Sequence, residues 1–183
     1  MLSFGAKLLA RIQNEIDTDG NLRDANSMND NHNENKATAI GINHIALEVD
    51  DIAEALAFYG AFLRFEVTHQ DDDAAFVYLG DQFINFSRGR TQAPDARRHF
   101  GIAVDNKELV RHILERIGIE LAESRFLNFL DPWGNRVEIT TYTNIQFSKA
   151  ESVLNGMGMG HLTKSDQALK ELRDRGLAPE QTR

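Results

Sequence analysis

The chain carries one pattern twice, and that repeat limits its fold more than any other feature. Around His44 the sequence reads NHIALEVDDIAEALAFY, and around His99 it reads RHFGIAVDNKELVRHIL. Each His stands five residues before a Val and six before an Asp, namely Val49 and Asp50 in the first copy and Val104 and Asp105 in the second. Alternation predicts a strand over 39–49, with Ile45, Leu47 and Val49 on one face and His44, Ala46 and Glu48 on the other. A helix follows, with Asp50 or Asp51 as its N-cap and an apolar stripe of Ile52, Ala55, Leu56, Tyr59 and Phe62. FEVTHQ, AAFVYLG and QFINFSRG are three further strand candidates separated by acidic or Gly-containing turns.

The second copy runs in the same order. RHFGIAVDN reads as a strand, and NKELVRHILERIGI as a helix capped by Asn106, with Leu109, Val110, Ile113, Leu114 and Ile117 on one side. IELAES, RFLNFL and NRVEITTY are the strand candidates that complete it. Each half therefore reads βαβββ, in the α+β class. From His44 to Asn85 is 41 residues and from His99 to Glu138 is 39, so each half places a His early and a polar residue late.

The chain falls into three segments. Residues 1–39 are a largely disordered extension: NLRDANSMNDNHNENKAT is rich in Asn and Asp and too poor in large apolar residues to offset ordering entropy. A short helix near residues 5–16 is expected within it. Residues 40–145 hold the repeated domain. Residues 146–183 form a helical tail, with Ser148-x-x-Glu151 as a capping box and a helix over SDQALKELRDRG that Gly176 stops. The tail has no catalytic motif, and a role in docking on the domain or on a partner subunit is expected.

Composition narrows the chemistry. There is no cysteine, so a disulfide framework, a catalytic thiol and a thiolate metal site are all excluded. A net charge of −8 argues against a general binder of nucleic acid. No apolar run long enough to span a membrane is present, and the start lacks the features of a secretory signal, so the cytoplasm is the expected location.

The constellation that stands out is His44, His99 and Glu138. In DPWGNRVEIT, alternation sets Val137 and Ile139 on one face and Arg136, Glu138 and Thr140 on the other. Each of the three candidates thus lies opposite the bulky apolar residues of its strand. If a pseudo-twofold axis relates the halves, their matching strands approach and the three side chains converge. Two neutral imidazoles and one carboxylate suit a divalent ion such as Fe, Mn, Zn or Ni and leave coordination positions open. Glu138 is then expected to face a metal in a polar cup.

Glu48 shares the His44 face. It reads either as a carboxylate or general base beside the metal, or as an ion-pair partner of an Arg such as Arg136. Arg88, Arg90, Arg97 and Arg98 are candidates for binding an anionic substrate or are simply solvated. Phe76, Tyr78, Phe83, Phe126 and Trp133 line a pocket or pack in the core and rim. His32, His69, His112 and His161 have no partner at ligand spacing and read as non-ligands.

NHIALEVDDIAEALAFY with LRF, RHFGIAVDN and FLDPWGNRVEI together resemble one module of the vicinal oxygen chelate superfamily, over Ile42 to Tyr142. That group includes glyoxalase I, fosfomycin-resistance proteins, extradiol dioxygenases, methylmalonyl-CoA epimerase and bleomycin-resistance proteins. The resemblance implies two βαβββ repeats forming a curved mixed sheet around a cup, usually in a homodimer. It implies metal ligands at His44, His99 and Glu138, with Asn85 at the remaining position as a weak fourth ligand or a substrate contact. Asn128 and Arg136 are further substrate candidates. Asn85 stands where glyoxalase I and the epimerase have Glu or Gln, which points to the three-ligand branch of fosfomycin enzymes and extradiol dioxygenases. The tyrosine that those two groups place ten residues before the glutamate is Asn128 here, and the glutathione-holding Arg of glyoxalase I is Glu48.

Two functions are expected from this reading. One is a divalent-metal enzyme acting on a small oxygen-chelating substrate, with proton transfer through Glu48, Glu138 or metal-bound water, of isomerase or lyase type or, with Fe(II), a dioxygenase. The other is a binding protein that sequesters a small molecule, as bleomycin-resistance proteins do, with an acidic cup suited to a cationic ligand. A regulatory subunit that docks through its C-terminal helix is a third possibility.

Overall fold

The computed structural model describes Ala37 and residues 39–178, with Glu123 and Arg125 excepted. The helix expected near residues 5–16, and His32, lie outside the described residues. The chain divides into two units, Met1–Gly41 and Ile42–Arg183, and all the described helices and strands belong to the second.

The first half runs β1 (His44–Val49), α1 (Ile52–Gly60), β2 (Glu66–Gln70), β3 (Ala74–Tyr78) and β4 (Phe83–Arg88). Its sheet has the order β1-β4-β3-β2. β1 lies parallel to β4, and β3 is antiparallel to both β4 and β2. The second half runs β5 (Phe100–Val104), α2 (Lys107–Arg116), β6 (Leu127–Leu130) and β7 (Arg136–Thr141). Its sheet has the order β5-β7-β6, with β5 parallel to β7 and β6 antiparallel to it. Each half thus places its first strand beside its last, and the repeat read from the sequence is a repeat in space.

One strand differs from expectation. Among its described residues IELAES shows one bridge, Leu121↔Phe129, in place of a strand. Beside it, Ser124 Oγ donates to Phe126 O at 2.6 Å, accepts from Phe126 N at 3.1 Å and accepts from Asn128 Nδ2 at 2.8 Å, the kind of side-chain closure that Ser supplies in connections.

Both helices begin as their caps predict. Asp51 accepts from Glu54 N at 2.9 Å, and Asn106 accepts from Leu109 N at 3.0 Å. α1 buries Ile52, Ala55 and Tyr59. α2 buries Val110 and Leu114, while Leu109 and Ile117 of the expected stripe are exposed. The 110–114 row faces the core, and the 109–113–117 row forms its rim.

A single core joins the halves. Val49, Val77, Ile84 and Phe86 of the first sheet share it with Ile102, Leu127, Phe129, Val137 and Ile139 of the second. Phe58 and Phe62 of the α1 region meet Phe129 at ring-centroid distances of 6.3 and 5.8 Å, and Phe58 meets Trp133 at 6.2 Å. Trp133 is therefore a core-rim residue. Each such large side chain contributes about 1.5–3 kcal/mol on burial. Because the apolar faces share this core, alternation turns the other face of each sheet away from it.

The tail continues through a 3₁₀ turn (Tyr142–Asn144), α3 (Glu151–Gly156) and α4 (Asp166–Asp174). The capping box expected at Ser148 does not form: the N-cap of α3 is Ala150, with no side-chain bond. α4 is capped by Ser165, which accepts from Ala168 N at 3.3 Å, and it buries Ala168 and Leu172. Lys164 ties the tail to the end of β7, donating to Tyr142 O at 2.5 Å, Ile145 O at 3.1 Å and Phe147 O. Burial lowers its ammonium to about 8. Among the described residues, no helix is long and apolar enough to cross a membrane.

Candidate metal centre

The two halves place their candidates in the same register. In the first, Ala46 pairs with Asn85, and His44 lies two residues before Ala46. In the second, Gly101 pairs with Glu138, and His99 lies two residues before Gly101. His44 with Asn85 and His99 with Glu138 are thus equivalent pairs, each on the outward face of its sheet. A small residue stands opposite each polar one, and a Cβ added at Gly101 would meet nothing within 4 Å.

Both imidazoles are oriented through the same nitrogen. His99 Nδ1 lies 2.9 Å from Arg97 O. A carbonyl only accepts, so Nδ1 is the donor here, and in the neutral ring the lone pair is then on Nε2. His44 Nδ1 lies 2.8 Å from Asn43 Oδ1, an amide oxygen able to accept from the same ring nitrogen. Its ring stacks on Phe83 with centroids 4.6 Å apart and planes 13° from parallel.

Asn128 pairs directly with Glu138 across β6 and β7. Arg136 Nη1 donates to Asn128 Oδ1 at 3.1 Å. His99, Glu138, Asn128 and Arg136 therefore gather on one face. His44, Asn85 and Glu48 occupy the outward face of the other sheet. Asn85 Oδ1 is buried and has no hydrogen-bond partner. Within one chain the two sets stay apart: among the described residues, no group of three His, Asp or Glu side chains is placed to hold a metal ion. His44, His99 and Glu138 therefore do not form such a group within one chain; β1 and β5 lie in separate sheets, and the apolar faces of the two halves share one core.

Glu48 has partners other than the one expected. Its carboxylate accepts from Gln92 Nε2, and its backbone carbonyl accepts from Asn135 Nδ2 at 3.0 Å. It forms no ion pair with Arg136. Four residues along β1 separate it from His44, about 13 Å of strand rise, so it stands along the cup rather than beside the His44 imidazole. Arg90 is not a free anion binder. Its guanidinium is buried, donating to Asn135 Oδ1, to Ala93 O at 3.1 Å and to Gly134 O at 3.2 Å. Arg98 binds Asp95 at 2.6 Å. Burial pushes the Asp95 carboxyl up, but the Arg98 hydrogen bond, the Arg136 N–H and the charges of Arg98 and Arg90 outweigh it and hold it low.

The segment DPWGN, to which the sequence alone assigns no site role, joins several elements. Asp131, 4% exposed, accepts from Trp133 N at 3.0 Å and Asn135 N at 2.7 Å through Oδ1. Its Oδ2 accepts from Asn135 Nδ2 at 2.8 Å and from the hydroxyl of Tyr59, in α1, at 2.8 Å. Burial first, then the Asp131 charge, raises the Tyr59 hydroxyl well above its usual value. Gly134 has φ +89, and a Cβ there would stand 2.9 Å from Pro94 Cα. The turn thus staples the first half, the linker and the second half together. The available signal was the Asp and Asn flanking Pro-x-Gly, the composition of a side-chain-closed turn.

The Glyoxalase/Bleomycin resistance protein/Dioxygenase superfamily model matches residues 41–139. None of the curated proteins compared with the chain matches it. Among solved structures, the chain is similar to the genomically encoded fosfomycin resistance protein FosX from Listeria monocytogenes, complexed with Mn(II) and sulfate ion. Identity is 16% and the TM-score is 0.52, with 66% of this chain and 99% of that chain covered. A mutant of the same protein, complexed with Mn(II) and 1S,2S-dihydroxypropylphosphonic acid, is 19% identical with a TM-score of 0.50, covering 57% of this chain and 93% of that chain. At these identities the likeness is one of fold. The family model spans more than half of the sequence, and the doubled topology agrees with it: the chain belongs to the Glyoxalase/Bleomycin resistance protein/Dioxygenase superfamily.

Proposed function

We propose that this chain is a divalent-metal-dependent enzyme that works as a homodimer on a small substrate offering two neighbouring oxygens. The observation that carries this reading is the matched pair of imidazoles. Each has Nδ1 within hydrogen-bond distance of an oxygen, which in the neutral ring leaves the lone pair on Nε2, the arrangement in which a metal-binding His is usually held. His44 begins β1, and His99 immediately precedes β5. Among the described residues each of these strands is paired on one side only. Setting β1 of one copy beside β5 of another would bring His44 toward the second copy's His99 and Glu138. The donor set of two nitrogens and one carboxylate oxygen fits Fe, Mn, Zn or Ni. The unpartnered Asn85 Oδ1 adds an acceptor for the ion or for a substrate donor.

When bound, the ion supplies Lewis acidity toward substrate oxygens, or dioxygen chemistry if it is Fe(II). The chain's own groups do the rest. Arg136 and Asn128 lie beside Glu138 and orient a polar substrate group. Glu138, on the face shared with His99, is the carboxylate placed to take or return a proton on a small substrate, whereas Glu48 is held by Gln92 about 13 Å along β1 from His44. The test is elemental analysis of purified protein together with a His99→Ala variant. The expected result is about one chelator-removable ion per site, lost in the variant without unfolding. Full metal occupancy in His99→Ala overturns the ligand assignment, and a metal-free wild type that still binds small molecules favours the sequestering reading.

A further inference from the structure

Residues after the last strand lie beyond the family-matched span, yet they sit on the first half, at the turn between β3 and β4. Gly80 in that turn has φ +83. A Cβ added there would stand 2.5 Å from Met157 Sδ, 3.3 Å from Val153 Cγ1 and 3.4 Å from Lys149 Nζ. Lys149, 8% exposed, also pairs with Asp81 of the same turn.

Two routes lead from this turn to His44. The first is hydrogen-bonded: Gln82 Nε2 donates to Ile42 O at 2.7 Å, and Phe83 N donates to Asn43 O at 3.4 Å. Asn43 is the residue whose side chain fixes His44 Nδ1. The second is aromatic. Tyr78 and Phe83 are cross-strand partners, with rings 5.1 Å apart and 22° from parallel. Phe83 and His44 are cross-strand partners in turn, 4.6 Å apart at 13°. These spacings match the pitch between neighbouring strands, about 4.7–4.9 Å. The rings form a ladder across β3, β4 and β1, with His44 as its last rung on the edge strand.

We infer that the C-terminal extension braces His44 through the β3–β4 turn, and that Phe83 is a positioning residue for that imidazole. An exposed His at the start of an edge strand has little else to hold its ring. Only the consequence for metal affinity rests on the function proposed above; the ring placement is independent of it.

The experiment uses full-length protein. The imidazole Cε1–Hε1 signals of His44 are read by NMR in the metal-free protein at one pH, with His99 on the other sheet as internal reference. Mn(II) affinity is read by water-proton relaxation. Val153→Ser/Met157→Ser, at positions outside the core, is expected to shift the His44 signal, leave His99 in place and weaken Mn(II) binding about 10-fold. Phe83→Leu should do the same, and Phe83→Tyr, which keeps the stack, should restore both. An unmoved His44 signal in the double variant, with Gly80 and Asp81 amides displaced, overturns the brace. If the double variant does not fold, Lys149→Met is read by the same criteria. If wild-type protein binds none of Mn(II), Fe(II), Zn(II) and Ni(II), the proposed function falls and the NMR result alone decides the brace.

Discussion

Tyr59→Phe isolates the joint between the two halves. Tyr59 is fully buried in α1, and its hydroxyl donates to Asp131 Oδ2 at 2.8 Å across 72 residues of sequence. Phe keeps the ring and its contacts with Phe86 and Phe62 at 5.0 and 5.8 Å, so no cavity opens. What is lost is one hydrogen bond to a charged acceptor, about 1.5–3 kcal/mol. Asp131 keeps its three donors from Trp133 and Asn135, which holds the loss within that range. For a unit of this size the melting temperature should fall by roughly 3–12 °C. Urea unfolding followed by circular dichroism gives the free energy, and a double-mutant cycle with Asp131→Asn gives a coupling above about 1 kcal/mol. A loss below about 0.5 kcal/mol, the level of a surface change, would refute the joint. The alkaline limb offers a second reading. The folded hydroxyl titrates well above its usual 10.0, so its contribution is whole below that value and is lost as pH climbs beyond it. The wild type should therefore lose stability more steeply than Tyr59→Phe above pH 10.

Other outcomes are expected from the same contacts. Gly134→Ala must place a Cβ against Pro94 at a positive φ, and a loss of about 1–3 kcal/mol is expected in the same unfolding assay. Asp95 is held below its usual 3.8 by Arg98, Arg136 and Arg90 against the effect of burial. Its stabilisation is present above that value and lost as pH falls through the lower folded value, so Asp95→Asn should flatten the stability curve below about pH 4. Lys164→Met leaves three backbone carbonyls without their ammonium donor and should cost about 1–3 kcal/mol, read as faster amide exchange in α4.

Much of this architecture was visible in the residues because it rests on local rules. The His-x₄-Val-Asp repeat, the caps at Asp51 and Asn106 and the alternation in β1, β4 and β7 each depend on a few neighbouring positions, and each is present in the fold. Among the described residues of IELAES the expected strand is reduced to the bridge at Leu121, an outcome that local alternation does not foretell. The roles of Asp131, Asn135 and Arg90 were hidden for a different reason. Their partners lie in other elements, and a buried polar knot looks like an ordinary turn or loop in one dimension. The candidate ligands lie on the faces that strand alternation predicts, opposite the apolar residues of the core. Whether the faces meet within one chain depends on how the halves join, and the shared apolar core set them outward.

The central claim is that His44 of one copy works with His99 and Glu138 of another. It is tested most directly by mixing His44→Ala with Glu138→Ala after co-refolding and titrating Mn(II). Each variant alone should bind none at the site. The mixed dimer retains one intact site, so binding should reappear in about a quarter of the sites if subunits exchange at random. No recovery in mixtures that demonstrably contain the hybrid dimer would contradict the shared centre.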